Sequence, residues 1–492
     1  MKRIIVAVLL ACMTVTAFTS CANTSDDQSG NESNLPTGSL NTEAPGDVYD
    51  VPSVTYDGHE MLILSSGNVV YDDFSYDEAS SAVLDNAQYV RKATVETNFD
   101  IDIVIEKSTD KTSFGQGSGF QKVSQAVTSE DCTYEICLIG TYDSTNLAVN
   151  NYLYDLNSID YINLNNSWWD QNANSDLSIN GLMFFTTGDF SCGNNDATFT
   201  LVFNKDLAET AKIENPYELV TSGKWTYDKL AEMTRTVSED VNGDGQMDMR
   251  DKYGMTVWDD SVMAAVNSAG VRVCTVKDGK VELTFNEDRT IAVFNKWAEM
   301  VYDKEHAITY QRFGSSNGTI GQLWEEGRAL FRNCLIKTVH SIRLAEVDFG
   351  ILPYPKLTED QDRYYSTMGS YHGQFVCVPL YQDDIERVGI IAESLAYYGQ
   401  QLVRPAYYDK TLYGQTFRDD ESKDMLDVIL SSYIYDFGWY YQIGEYNENL
   451  MDLIRAYSTD FASMYASNEV AAKTKLTTIN DAYAAVLDGW QS

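Results

Sequence analysis

Short apolar runs alternate with stretches of helical period over the first half of the chain. Glu60-Met-Leu-Ile-Leu64 reads as a buried strand ending at Ser65-Ser66-Gly67, and a helix follows over roughly 80–97. Ile101-Asp-Ile-Val-Ile105 reads as a second strand, 121–129 as a helix, and Tyr134-Glu-Ile-Cys-Leu-Ile139 as a third strand closed by Gly140. Apolar runs of strand length separated by helical periods predict βαβ units and a parallel sheet. Ligands of open α/β sheets sit at the carboxyl ends of the strands. That rule points to Ser65, Ser66 and Gly67 after the first strand, and to Thr141, Tyr142 and Asp143 after the third. Further on, Thr198–Phe203 alternates like a strand, and Asn215-Pro216-Tyr217-Glu218 combines a capping side chain, a first-turn proline and a reaching acid, which start a helix. Helical spacing recurs over about 288–303, 383–400, 425–435 and 450–457. No internal repeat is visible, so a solenoid or propeller is not expected.

The amino terminus sets the compartment. Lys2 and Arg3 precede an apolar run from Ile4 to Phe18 that is too short and too weakly flanked for a membrane-spanning helix. Residues 1–20 therefore read as an export signal. Phe18-Thr19-Ser20-Cys21 resembles the lipobox of bacterial lipoproteins, with Phe18 in place of the usual Leu. That resemblance implies cleavage before Cys21 and a diacylglycerol on its thiol, each buried methylene contributing about 0.8 kcal/mol to membrane anchoring. Residues 21–56 are then the lipidated cysteine and a flexible tether, because Asn, Ser, Thr, Asp, Gly and Pro cannot offset their ordering entropy. The folded body is expected to start near Glu60.

Composition narrows the function. With 492 residues, 44% hydrophobic and 22% charged, the chain can bury a large core. The net charge of −38 repels phosphate backbones, which excludes nucleic-acid binding. It favours cations as partners. Only four histidines occur, and none forms an HExxH pair. The cysteines beyond Cys21 are irregularly spaced without a CxxC, so buried free thiols are expected.

The segment Asp240-Val-Asn-Gly-Asp-Gly-Gln-Met-Asp-Met-Arg-Asp251 is the most specific local motif. Calcium takes roughly six to eight oxygen ligands, supplied in a twelve-residue loop at fixed positions. Here they would be Asp240, Asn242, Asp244, the Gln246 carbonyl, Asp248 and Asp251, with Gly245 where the turn needs positive φ. The last position carries Asp where such loops usually carry Glu. A structural Ca2+ is the expected cofactor. The bland reading is a solvated acidic turn.

Four passages, in order, resemble the extracellular solute-binding proteins of ABC importers, in the maltose-binding-like group. They are Leu201-Val-Phe-Asn-Lys-Asp-Leu207, Gly223-Lys-Trp-Thr-Tyr-Asp-Lys-Leu230, Glu326-Gly-Arg-Ala-Leu-Phe331 and Val347-Asp-Phe-Gly-Ile-Leu-Pro-Tyr-Pro355. The resemblance implies an α/β, two-lobed periplasmic-binding-protein-like fold of type II, with crossing hinge strands. One lobe would hold 57–188 and 332–382, the other 189–331 and 383–492. It implies a monomeric carrier, not an enzyme, that closes on a sugar or oligosaccharide and delivers it to importer membrane subunits. Candidate ligand contacts are Ser66, Tyr142 and Asp143 at strand ends, the adjacent Trp168 and Trp169, Asp189 near the first crossing, Trp258 after a strand of the other lobe, Tyr371, and Trp439. For each aromatic the competing reading is a core position. A secreted, calcium-containing glycoside hydrolase is the alternative. It would need two placed carboxylates, and the adjacent pairs Asp259-Asp260 and Glu325-Glu326 diverge on a regular element.

Overall fold

The computed structural model describes residues 46–111, 114–313, 317–408 and 419–491. The export segment and Cys21 lie outside the described residues. Strands are β1 (His59–Gly67), β2 (Ile101–Thr109), β3 (Ile136–Gly140), β4 (Phe199–Asn204), β5 (Tyr253–Val257), β6 (Cys274–Lys277), β7 (Lys280–Leu283), β8 (Ala307–Thr309), β9 (Ala329–Leu335), β10 (Phe349–Leu352) and β11 (Gln374–Cys377).

Two sheets organise the molecule. The first has the order β11-β3-β1-β2, with β1, β2 and β3 parallel and β11 antiparallel. Its central strands are apolar on both faces because helices cover both, which is why Met61, Ile63, Leu64 and Ile136–Ile139 read as nearly unbroken hydrophobic runs. Edge strand β2 instead alternates, burying Ile101 and Ile103 and exposing Asp102 and Val104. The second sheet has the order β10-β4-β9-β5-β8. A hairpin, β6–β7, stands apart from both.

Extended segments join the two bodies. Ala197–Phe199 runs antiparallel to Thr367–Gly369: Phe199 N–H donates to Thr367 O at 3.0 Å and Gly369 N–H to Ala197 O at 2.8 Å. A third segment lies alongside, with Ser366 N–H donating to Ser432 O and Ile434 N–H to Ser366 O, both at 2.9 Å. These are the crossing strands of a two-lobed, type II α/β fold.

Three expectations about organisation meet different facts. Strands β9 and β10 both belong to the second sheet, so 332–352 does not travel with the first lobe. Helix Ile385–Tyr398 packs on helix Val83–Phe99 of the first lobe, not on the second. Its Arg387 binds Glu135 through Nε and Nη2 at 3.1 and 2.9 Å, and its Glu393 receives the Trp169 indole N–H at 2.8 Å. The periodicity of that helix is plain in the sequence, but its partners lie over two hundred residues away. Finally, residues 47–56 are not a loose tether. Asp47 accepts from Ser167 N, Asn166 holds Val48 through both its backbone N–H and C=O, and Tyr49 stacks on Tyr397 at 4.0 Å.

Predicted helix positions hold to within a few residues, including Pro216–Thr221, capped as expected by Asn215 Oδ1 on Tyr217 N–H. The 31-residue helix Phe461–Gln491 is the largest element the pattern did not announce. Cys132, Cys137, Cys192, Cys274, Cys334 and Cys377 are free thiols.

Candidate functional site

A cavity of about 240 Å³ opens between the two bodies. From the first body come Phe114, beyond β2, and Tyr142, in the first turn of helix Thr141–Val149 directly after β3. From the second come Asp260 and Met263 around helix Ser261–Ser268, which follows β5. Glu448, Met451 and Arg455 reach the same space from helix Tyr446–Ala456, where spacing of three and four aligns them on one face. Gly369–His372, leaving the second crossing strand, closes the remaining side.

Two larger cavities adjoin this one. At His372 it meets a space of about 440 Å³ lined by Trp258, Arg332, Asn333 and Lys337. At Phe114 and Tyr142 it meets one of about 490 Å³ lined by Asn146, Gln442 and Lys475. The three together form a groove with aromatic faces spaced along it. Phe114 lies 5.6 Å from Tyr142 and 6.3 Å from Tyr371 by ring centroids, and Trp258 meets His372 edge-on at 6.1 Å. Trp258 is held by its backbone: its N–H donates to Asn333 Oδ1 at 2.9 Å.

The electrostatics are uneven. Arg455 Nε binds Asp259 Oδ2 at 2.6 Å and its Nη1 reaches Asp452 at 2.9 Å and Glu448 at 3.8 Å. Tyr310 also donates to Asp259. Burial, and next the Asp259 charge, push Asp260 up to about 7. Burial also raises Glu448 above the usual carboxylate range. Burial, then Lys337, hold His372 down to about 4, so its ring is neutral at pH 7. The Tyr142 hydroxyl is raised by burial and then by Glu448 and Asp260, and stays protonated as a hydrogen-bond donor.

The structure brings Tyr142, Trp258 and Tyr371 of the nine sequence candidates to this groove. The other six lie elsewhere, each with an internal partner. Ser66 Oγ donates to Ser108 O at 3.0 Å and meets Ser118 Oγ at 2.9 Å. Asp143 accepts from Gly117 N and Phe120 N, which caps helix Ser118–Thr128. Trp168 packs under Tyr49 and Tyr397, and Trp169 parallel to Phe190, both essentially fully buried. Two adjacent tryptophans both go inside because 166–169 is a turn, closed by Trp169 N–H on Asn166 O, and not a regular element. Asp189 is paired to Arg404. Trp439 is buried with its indole N–H on Asn267 Oδ1 at 2.8 Å.

Sequence reasoning passed over Phe114, Asp260, Glu448 and Arg455 as ligand-facing groups. Asp260 was accessible to the strand-end rule, since it lies three residues beyond β5. The spacing of Glu448, Met451 and Arg455 marks one helix face but not what it faces.

The acidic loop folds on itself. Asp240 accepts from Gly243 N and Gly245 N, Asn242 from Asp244 N, Asp244 from Gln246 N, and Asp251 from Val241 N and Asp248 N. Gly243 and Gly245 take φ of 70° and 76°, a region open to glycine without strain. Arg250 bridges the Asp244 and Asp248 carboxylates. Among the described residues no group of three or more His, Cys, Asp or Glu side chains converges as a metal site.

Comparison with known proteins follows the geometry. The family model for bacterial extracellular solute-binding protein matches residues 87–369. No curated protein sequence matches. Among solved structures, the chain is similar to the galacto-N-biose-/lacto-N-biose I-binding protein of a Bifidobacterium longum ABC transporter in complex with lacto-N-biose, at TM-score 0.58 and 12% identity, covering 86% of this chain and 98% of that one. It is similar to an ABC substrate-binding protein from Listeria monocytogenes in complex with cycloalternan, at TM-score 0.54 and 13% identity, covering 87% and 100%. It is also similar to UspC of M. tuberculosis, at TM-score 0.56 and 12% identity, covering 84% and 100%.

Proposed function

The chain belongs to the bacterial extracellular solute-binding protein family, and on that premise we propose that it captures a carbohydrate in the inter-lobe groove and delivers it to the membrane subunits of an ABC importer. The carrying observation is the groove itself: Phe114, Tyr142, Tyr371 and Trp258 offer flat apolar faces, and polar side chains from both bodies stand between them. Sugar rings take such faces on their C–H sides and fixed donors and acceptors on their hydroxyls. Two similar structures hold lacto-N-biose and cycloalternan, which makes oligosaccharides the first class to test. Closing the lobes would bury the guest, and no bond in it need break. The carrier sits outside the cell, held by lipid on Cys21, with residues 47–56 fixing where the chain leaves the body.

The test is a thermal-shift screen over oligosaccharides followed by calorimetry. A ligand at a hundred times its Kd stabilises the folded state by about 2.7 kcal/mol. Binding with the sugar recovered intact supports a carrier, whereas new reducing ends support a hydrolase and defeat this reading.

The acidic loop would hold calcium through Asp240, Asn242, Asp244, Gln246, Asp248 and Asp251. Its hard oxygen donors have the spacing the ion takes, and binding would need the carboxylates to converge and displace Arg250 from Asp244 and Asp248. Its role would be to order the link between helix Tyr227–Val237 and β5. Chelation should lower the melting temperature, and an unchanged melt would remove the metal.

A further inference from the structure

We propose that the groove's preferred solute is an amino sugar, whose protonated amine sits between Asp260 and Glu448 within the aromatic faces of Phe114, Tyr142 and Tyr371. This rests on the carbohydrate reading and sharpens it.

Charge around the central cavity does not balance. Four carboxylates, Asp259, Asp260, Glu448 and Asp452, surround one guanidinium. Arg455 spends its short contacts on Asp259 and Asp452. It is 3.8 Å from Glu448, and no cation is within ion-pair distance of Asp260 among the described residues. The other basic groups sit further along the groove, Lys337 beyond His372 and Lys475 beyond Tyr142. The His372 ring is neutral and supplies no charge. A half-buried carboxylate lacking a partner is costly, and a cation from the guest is the group that offsets that cost.

Two independent features accompany the charge. Three aromatic rings line the same cavity as the two acids, and a cation within about 6 Å of a ring face gains roughly 0.5–2 kcal/mol. Ser370 is 2% exposed, lines this cavity and stands close enough to the Tyr142 hydroxyl to interact with it. A serine hydroxyl has two acceptor lone pairs, so beside two acids it can also accept from an ammonium N–H. A neutral sugar could fill the space and use the aromatic faces, but it would not supply the charge that favours the ionised forms of Asp260 and Glu448.

The test is calorimetry on the full chain with three disaccharide sets in the gluco and galacto series: free amine, N-acetylated and neutral parent. The free-amine form is expected to bind at least about tenfold tighter than its N-acetylated and neutral counterparts, and to weaken as salt is raised. Asp260→Asn should remove most of that preference, weakening the free-amine form by about tenfold more than it weakens the neutral parent. Glu448→Gln, at a more exposed position, repeats the test should Asp260→Asn fold poorly. If neutral or N-acetylated forms bind as well as the amine, or both substitutions keep the amine preference, the amine assignment falls and the sugar carrier stands. If no disaccharide of any set binds the folded chain, the amine assignment falls together with the carbohydrate reading.

Discussion

Replacing Arg404 with leucine separates a ligand carboxylate from a structural one. Asp189 lies beside the first crossing segment, and that position, implied by the family resemblance, made it a ligand candidate. In the structure its carboxylate is gripped from one side: Arg404 Nε donates to Oδ1 at 2.7 Å, and Nη2 lies within ion-pair distance of Oδ2, at 2.5 Å. The two side chains are 12% and 25% exposed. Burial nonetheless dominates and pushes Asp189 up to about 6, with Arg404 pulling against it. Arg404→Leu leaves the carboxylate buried with Asp170 as a nearby like charge and only the more weakly acting Arg91 to oppose it. Removing one partner of a buried pair costs about 3–5 kcal/mol. The protonation linkage gives the loss a pH signature. A carboxyl raised in the folded state contributes stability that is present at low pH and lost as pH rises toward its folded pKa. In the parent that loss ends near pH 6. In the variant, with Asp189 raised further, the loss continues above pH 6, and the deficit grows by about 1.4 kcal/mol for each unit the carboxyl is raised. Urea unfolding followed by tryptophan fluorescence at pH 6 and pH 8 measures both deficits. Adding Asp189→Asn should return most of the loss, because the unpaired charge is gone. Sugar affinity should stay within about twofold, since the pair lines none of the three cavities. A deficit below about 1 kcal/mol, or one equal at both pH values, would refute the reasoning.

Trp258→Ala and Tyr142→Ala should each weaken sugar binding by about tenfold or more, measured by calorimetry, whereas Trp439→Ala should act by destabilising the fold, by about 3–5 kcal/mol, through a lost core indole. Lowering pH from 8 to 5.5 should raise the melting temperature: burial lifts Asp260 and Glu393 to about 7 and Asp189 and Asp436 to about 6, so the folded state takes up protons before the unfolded one. His372, held near 4, opposes this between its ordinary value and 4 with a single group. A melting temperature that falls monotonically from pH 8 would contradict those environments. Gly254→Ala should cripple folding, since a Cβ there would lie 1.9 Å from Thr234 O, backbone that cannot rotate away; a native-like circular dichroism melt would show the approach is not so close.

How much was legible depends on the range of the interaction. Strands β1 and β3 announce themselves because helices cover both faces of a parallel sheet, so the apolar run is unbroken. Asn215 announces its helix because the capping oxygen and the N–H it accepts from are two residues apart. The strand-end rule found Tyr142 and Trp258 for the same reason: it is a statement about local chain direction. Trp168 and Trp169 went wrong because what decides them is distant. Trp169 is inside because Glu393, 224 residues on, accepts its N–H. Trp439 is inside because Asn267, 172 residues back, does the same. Aromatic content alone cannot separate a groove face from a core plug.

The carboxylates make the point more sharply. Asp189, Asp436 and Asp260 are alike in sequence, and burial raises all three. Asp436 receives Val273 N–H at 2.8 Å and Gly438 N–H at 2.9 Å, and the Asp189 charge is met by Arg404; both have their partner within the chain. Asp260 makes no direct ion pair and caps no helix N–H, although it stands at the start of a helix where a carboxylate commonly does; Arg455 acts on it only from a distance. It faces instead a cavity whose aromatic walls come from the opposite lobe. A carboxylate at a helix start that does not use the helix leaves its oxygens open to the groove. Those open oxygens, more than the exposure or identity of any residue, distinguish the binding groove from the rest of an acidic surface.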